Sequence, residues 1–143
     1  MKTLSAILVA LATTGAAFAQ NITTYKSDAN FEDTAFALES AIIGRGLVVD
    51  YVSHVGAMLA RTGADVGSDV QLFENADVFL FCSATTSRNV MEADIMNIAF
   101  CPYGVFVADT GDEVMVGFRD LPEGAMQEVQ TLLDEIAREA VGK

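Results

Sequence analysis

The chain has 143 residues, 52% of them apolar, with 20 acidic against 8 basic side chains and a net charge of −12. Such a charge repels phosphate backbones and anionic lipid, so nucleic-acid binding and adhesion to a membrane surface are excluded, whereas a basic protein partner or a cation fits. Acidity also keeps a protein soluble whatever it binds.

Residues 1–19 read as a secretory leader: Lys2 gives a charged start, Leu4 to Leu11 an apolar centre, and Ala17, Phe18, Ala19 an A-x-A cleavage site. The run is too short for a good membrane span, and no cysteine at the cleavage site offers a lipid anchor. The expected mature protein, residues 20–143, is one soluble domain in a bacterial periplasm, long enough to bury a hydrophobic core.

Within it, Ile22 to Lys26 alternates apolar and polar, the pattern of a half-buried strand. Ser27, Asp28 and Asn30 are helix-start residues for a helix whose apolar face is Phe31, Ala35, Leu38 and Ile42, and Gly44 and Gly46 end it. Leu47 to Val52 forms a second strand. Ser53 caps a short helix over Val55 to Thr62, closed by Gly63, and His54 sits at its first turn. The acidic loop around Asp65 and Asp69 lacks the ligand series of a calcium loop, and Val70 to Phe73 has no clear assignment.

Val78 to Cys82 is apolar at every position, as expected of a central strand covered on both faces. Ser87 begins a helix containing Val90, Met91, Asp94, Ile95 and Ile98, which must end before Pro102. Tyr103 to Ala108 and Glu113 to Phe118 are then two strands of a hairpin turned at Asp109, Thr110, Gly111 and Asp112. Pro122 and Glu123 suit the first turn of a last helix, whose stripe is Met126, Val129, Leu133, Ile136 and Ala140.

Chemistry centres on Cys82 and Cys101. In an exported protein two cysteines suggest a disulfide, here closing a loop of about 20 residues and worth about 3 kcal/mol if unstrained. Bridging requires the Cα atoms within about 7 Å, so the intervening helix must return the chain to the edge it left. The alternative is a pair of free or reversibly oxidised thiols; the spacing is not C-x-x-C, which argues against a thioredoxin-like enzyme. Thiolates with the thioethers of Met58, Met91 and Met96 would suit a soft cation such as Cu(I), although methionines also serve as core filler. A single histidine, His54, excludes blue-copper, zinc-protease and two-histidine iron sites, and no C-x-x-C-H, phosphate loop, dinucleotide fingerprint or nucleophile elbow is present.

The series Tyr25, Lys26, Ser27, Phe31, Glu32, Thr34, Leu38, Ala41, Ile42, Gly46, then His54 and later Pro102, resembles the domain-of-unknown-function family numbered 302. Phe81, Cys82, Ser83, Ala84 with Ser87 and Arg88, and the run Asn97 to Tyr103, look like an exported, cysteine-containing branch of it. The resemblance implies a compact α+β domain, a mixed or antiparallel sheet of about five strands with helices packed on it, and association as a homodimer. It implies no established activity, so no catalytic residue is carried over.

Three readings of function follow. The first is a non-enzymatic module holding a small ligand or soft metal at the sheet edge, with Cys82, Cys101, His54, Met58, Tyr103 and Arg88 as site residues. The second is a thiol- or sulfur-handling redox protein acting through Cys82 and Cys101, and the third a structural, homodimeric partner-binding protein. No particular cofactor or metal is indicated.

Overall fold

The structure, a computed structural model, describes residues 22–143; the leader expected over 1–19 lies outside them. Five strands make one wholly antiparallel sheet: β1 (Ile22–Ser27), β2 (Val48–Ser53), β3 (Asn75–Cys82), β4 (Tyr103–Asp109) and β5 (Val114–Arg119), in the spatial order β1-β5-β4-β3-β2. Four helices accompany it, α1 (Phe31–Gly44), α2 (Val55–Thr62), α3 (Ala84–Ala93) and α4 (Gln127–Ala140), so the architecture is the α+β one expected.

Asn30 starts α1, its Oδ1 accepting from the Asp33 amide at 2.8 Å, and Gly46, at φ +73°, turns the chain out at its end. One side of α1 then buries Leu38, Ala41 and Ile42, while α4 buries Val129, Leu133, Ile136 and Ala140. The two helices pack on each other and on one face of the sheet. That face supplies Phe79 and Phe81 from β3, Tyr103, Val105 and Val107 from β4, and Val116 and Phe118 from β5. Complete burial of side chains such as Phe81 and Phe118 is worth roughly 1.5–3 kcal/mol apiece, so this layer carries the stability.

Elsewhere boundaries move for identifiable reasons. The helical stretch after β3 is capped by Ser83 rather than Ser87, its Oγ accepting from Thr86 N at 3.3 Å. It breaks at Asp94, which is extended and caps a separate 3-10 segment, Ile95–Phe100, through a 2.9 Å bond from Met96 N. Pro122 and Glu123 fall in the turn before α4 rather than in its first turn: Gly124 takes φ +91°, and the Gln127 side chain instead caps Leu121 O and Pro122 O, each at 3.0 Å. No side chain caps α2, whose first residue follows His54 directly. The middle place of the sheet goes to β4; β3 is interior, between β4 and β2. In β2 the register slips between Val49 and Tyr51, making Asp50 a bulge.

A polar cluster ties the edge strand β1 to α4. The Tyr25 hydroxyl donates to Asp134 Oδ1, Arg138 Nε donates to Asp134 Oδ2 at 2.8 Å, and the Arg138 guanidinium lies 4.7 Å from the centre of the Tyr25 ring. Burial opposes ionisation of Asp134, but the Tyr25 and Arg138 bonds and the Arg138 charge outweigh it and hold the carboxyl below its ordinary value. A depressed native pKa gives stability that is present above the unfolded-state value and lost as pH falls through the native one. The gap in urea midpoint between the wild type and Asp134→Asn is therefore expected to be widest near neutral pH and to close in acid; a gap that stays constant into strong acid would mean that charge has no part in it.

On the opposite face α2 lies hard against β3. A Cβ on Gly56 would stand 2.5 Å from the backbone N of Ala76, and backbone cannot yield as a side-chain tip can. Gly56→Ala is expected to cost about 1–3 kcal/mol in urea unfolding. Gly44→Ala, at the end of α1 with nothing within 4 Å, is expected to be neutral or to stabilise by up to about 1 kcal/mol. Equal effects at the two positions would mean that α2 can lift without loss.

Candidate functional site: an apolar groove on the uncovered sheet face

Alternate residues of the strands point away from α1 and α4: Ala76, Val78 and Leu80 on β3, Gly104, Phe106 and Ala108 on β4, Met115, Gly117 and Arg119 on β5, Ile22 and Thr24 on β1. This second face has no full layer of helix. At one end it meets α2, through Val55, and Phe73 of the loop that leads into β3; at the other it meets Ala99 and Phe100 of the 3-10 segment, Pro102 and Leu121. Between these walls lie two hollows of about 430 and 370 Å³. Ile22, Val78 and Phe106 line both, so the hollows adjoin along these side chains and are described together as a groove.

Its floor depends on one cross-strand pair. Phe106 stands opposite Gly117, and a Cβ on Gly117 would come within 2.5 Å of Phe106 Cζ and 2.8 Å of Thr23 O. Lacking that atom, Gly117 leaves room for the tip of the Phe106 ring, whose Cζ and Cε1 take the space a Cβ would fill. Polar lining is sparse. Thr24 and Thr110 border the larger hollow and Arg119 the smaller; Asp77 also borders the larger hollow, but it alternates with Ala76 and Val78, so its carboxylate is turned to the other face, with Oδ1 2.8 Å from His54 Nδ1.

Cys82 and Cys101 lie beside the groove. Because β3 and β4 are antiparallel neighbours, the exit of one and the entrance of the other share an edge, and α3 with the 3-10 segment brings the chain back to it. The sulfurs are 2.6 Å apart and half-buried. In the reduced form burial pushes the Cys82 thiol up, with the neighbouring Cys101 thiol and the Asp50 carboxylate adding to the effect, to about 12. Such a thiol is almost wholly protonated near neutral pH and is a poor nucleophile.

The other residues singled out from sequence are dispersed. Tyr103 is the nearest: its ring meets Phe81 edge-on at 6.4 Å, its hydroxyl lies 3.0 Å from Ser87 Oγ, and it borders the smaller hollow. His54 is at the far end of β3, paired with Asp77, about 16 Å of strand away from Cys82. Met58 is on α2, its Sδ 3.8 Å from Thr62 Oγ1, and Arg88 makes a surface pair with Glu92 at 2.9 Å. Neither lines the groove. Among the described residues no group of three or more His, Cys, Asp or Glu side chains is placed to hold a metal ion. The residues that make the groove, Ile22, Val78, Phe106 and Arg119, escaped sequence reasoning; the usable signal was β3 itself, apolar on both faces in a chain with too few long helices to cover both.

One antiparallel sheet, two long helices on one side and an apolar trough on the other define a two-layer α+β domain with a half-open face. The family described as "Domain of unknown function DUF302" matches residues 23–143, nearly all that the structure describes, and the chain belongs to that family. Its fold is similar to that in the crystal structure of an uncharacterized conserved DUF302 protein from Bacillus stearothermophilus, with a TM-score of 0.62 at 16% identity over 87% of this chain and 95% of that one. No curated protein matches.

The cysteine geometry is directly testable. Oxidised wild type is expected to exceed Cys82→Ala/Cys101→Ala in unfolding free energy by about 3 kcal/mol, and the Cys82 thiol of the reduced wild type, followed by peptide mass, to alkylate far more slowly than a free cysteine at mildly alkaline pH. Rapid alkylation of that thiol would overturn the account of its environment.

Proposed function

We propose that this chain is an exported, periplasmic binding module without catalytic activity, and that a small apolar ligand occupies the groove. The observation that carries this reading is the pair of adjoining hollows that share Ile22, Val78 and Phe106. Each hollow falls in the size range of small-molecule sites, and the lining, apolar with a few polar groups at its ends, is the usual composition of such sites. Export is supported by the charged start, apolar centre and A-x-A motif of residues 1–19. The redox alternative loses Cys82 as its attacking group, because burial pushes that thiol up to about 12.

A homodimeric, partner-binding role is the second reading. It is favoured by the 3-10 segment at the groove's end, where Ile95, Met96 and Ile98 are 76%, 67% and 54% exposed.

Nile red, an uncharged apolar dye, is expected to bind wild type saturably at one site per chain in the micromolar range. Phe106→Asp should weaken it by about tenfold or more, that is by roughly 1.4 kcal/mol or more, with the circular dichroism of the folded chain retained. Absence of saturable binding at low protein concentration would defeat the ligand reading. Binding that fades as the protein is concentrated, together with a rise in mass, would mean that a second copy covers the groove.

A further inference from the structure

From this groove, and resting on its assignment as a ligand site, we infer a ligand class: a free single-chain carboxylate amphiphile, its head group held by Arg119 and its tail laid along Ile22, Val78 and Phe106. Arg119 lines the smaller hollow and stands directly across from Ile22 in the β1–β5 ladder, at the end of the apolar floor. Among the described residues it is the sole cationic side chain lining either hollow.

In a chain this acidic, a cation ordinarily finds a carboxylate. Lys26, Arg45, Arg88 and Arg138 do, with Glu113, Glu139, Glu92 and Asp134, while among the described residues Arg61 and Lys143, like Arg119, do not; of these three only Arg119 lines the groove. Arg119 has no carboxylate within 4.0 Å among the described residues, although Asp120 follows it. Asp120 is engaged elsewhere, its Oδ1 accepting from Thr23 Oγ1 at 2.6 Å. A planar guanidinium left open at the rim of an apolar trough matches a carboxylate joined to a hydrocarbon tail, which it can grip through two parallel hydrogen bonds.

The opposite end gives the ligand a direction. Among the described residues the larger hollow has no cationic lining side chain, and Val55, Phe73, Ala76 and Met115 make it apolar, so the head belongs at Arg119 and the tail runs toward Met115 and Ala76. The net charge of −12 does not forbid this, because charges beyond about 8–10 Å are screened at physiological salt whereas a head group at Arg119 is in contact with it. The same net charge opposes docking on an extended anionic bilayer, where many lipid charges act together, so the ligand is a free amphiphile rather than a membrane lipid.

The test is displacement of Nile red from the full mature chain by decanoate, decanol and decylamine, each kept below its aggregation threshold, in wild type, Arg119→Gln and Arg119→Lys. Decanoate is expected to displace the dye, and Arg119→Gln to weaken decanoate by about tenfold while changing decanol by less than about twofold. Arg119→Lys should restore part of the loss, and added salt should weaken decanoate alone. Equal losses for decanoate and decanol in Arg119→Gln, or decylamine binding as well as decanoate, would overturn the inference while leaving the groove a ligand site. Dye binding that no amphiphile displaces would do the same. Failure of the dye itself to bind wild type would instead remove the underlying assignment. Co-sedimentation with phosphatidylglycerol vesicles, lost in Arg119→Gln, would assign Arg119 to a membrane surface and overturn the free ligand.

Discussion

The packing of α1 and α4 side by side on one face of the sheet is the constraint on which the rest depends. Leu38, Ile42, Val129, Leu133 and Ile136 close over Phe79, Phe81, Val105, Val116 and Phe118, and that layer alone buries enough apolar surface to hold the domain together. The second face is thereby released from a structural duty. It keeps apolar residues at Val78, Leu80 and Phe106 but only short walls, α2 at one end and the 3-10 segment at the other. A trough of this kind is what remains when one core suffices for stability and the opposite face is free to serve another purpose.

Most of the scaffold was legible in the sequence because its signals are local and periodic. The stripe from Met126 to Ala140 is buried throughout, the hairpin at Thr110 and Gly111 turns with Gly111 at φ +86°, and Gly46 ends α1 as its residue type suggests. What failed was long-range or concerned which of two equivalent polar residues acts. Ser83 and Ser87 are both capable caps, and the geometry of the β3 exit decides between them. Asp94 lies amid apolar positions of helical spacing, yet its own side chain stops the helix by serving the next segment. The uniform hydrophobicity from Val78 to Cys82 reads as coverage on both sides, and no local pattern tells a covered second face from an open one.

The candidate site shows the same division. That Cys82 and Cys101 meet follows from antiparallel pairing of the strands they flank, a possibility visible in the sequence but undecidable until the return path of α3 was known. His54 and the cysteines, by contrast, are at opposite ends of β3, and chain spacing carries no information about that. Phe106 and Gly117 become a structural pair only through register: two residues eleven positions apart sit opposite each other and shape the floor together. Arg119 gains its meaning from the partners it lacks, which no inspection of residue types could show.

The bulge at Asp50 bears on self-association. β2 is an edge strand, and Val48 and Tyr51, 70% and 64% exposed, would otherwise make it a tempting template for a strand from another molecule. A regular strand laid along it would meet two residues where it expects one, with a carboxylate at the step, and would lose ladder bonds or have to copy the irregularity. Growth of the sheet from molecule to molecule is therefore blunted on that side by a single extra residue, which leaves open faces, rather than strand edges, as the economical surfaces for contact in a crowded compartment.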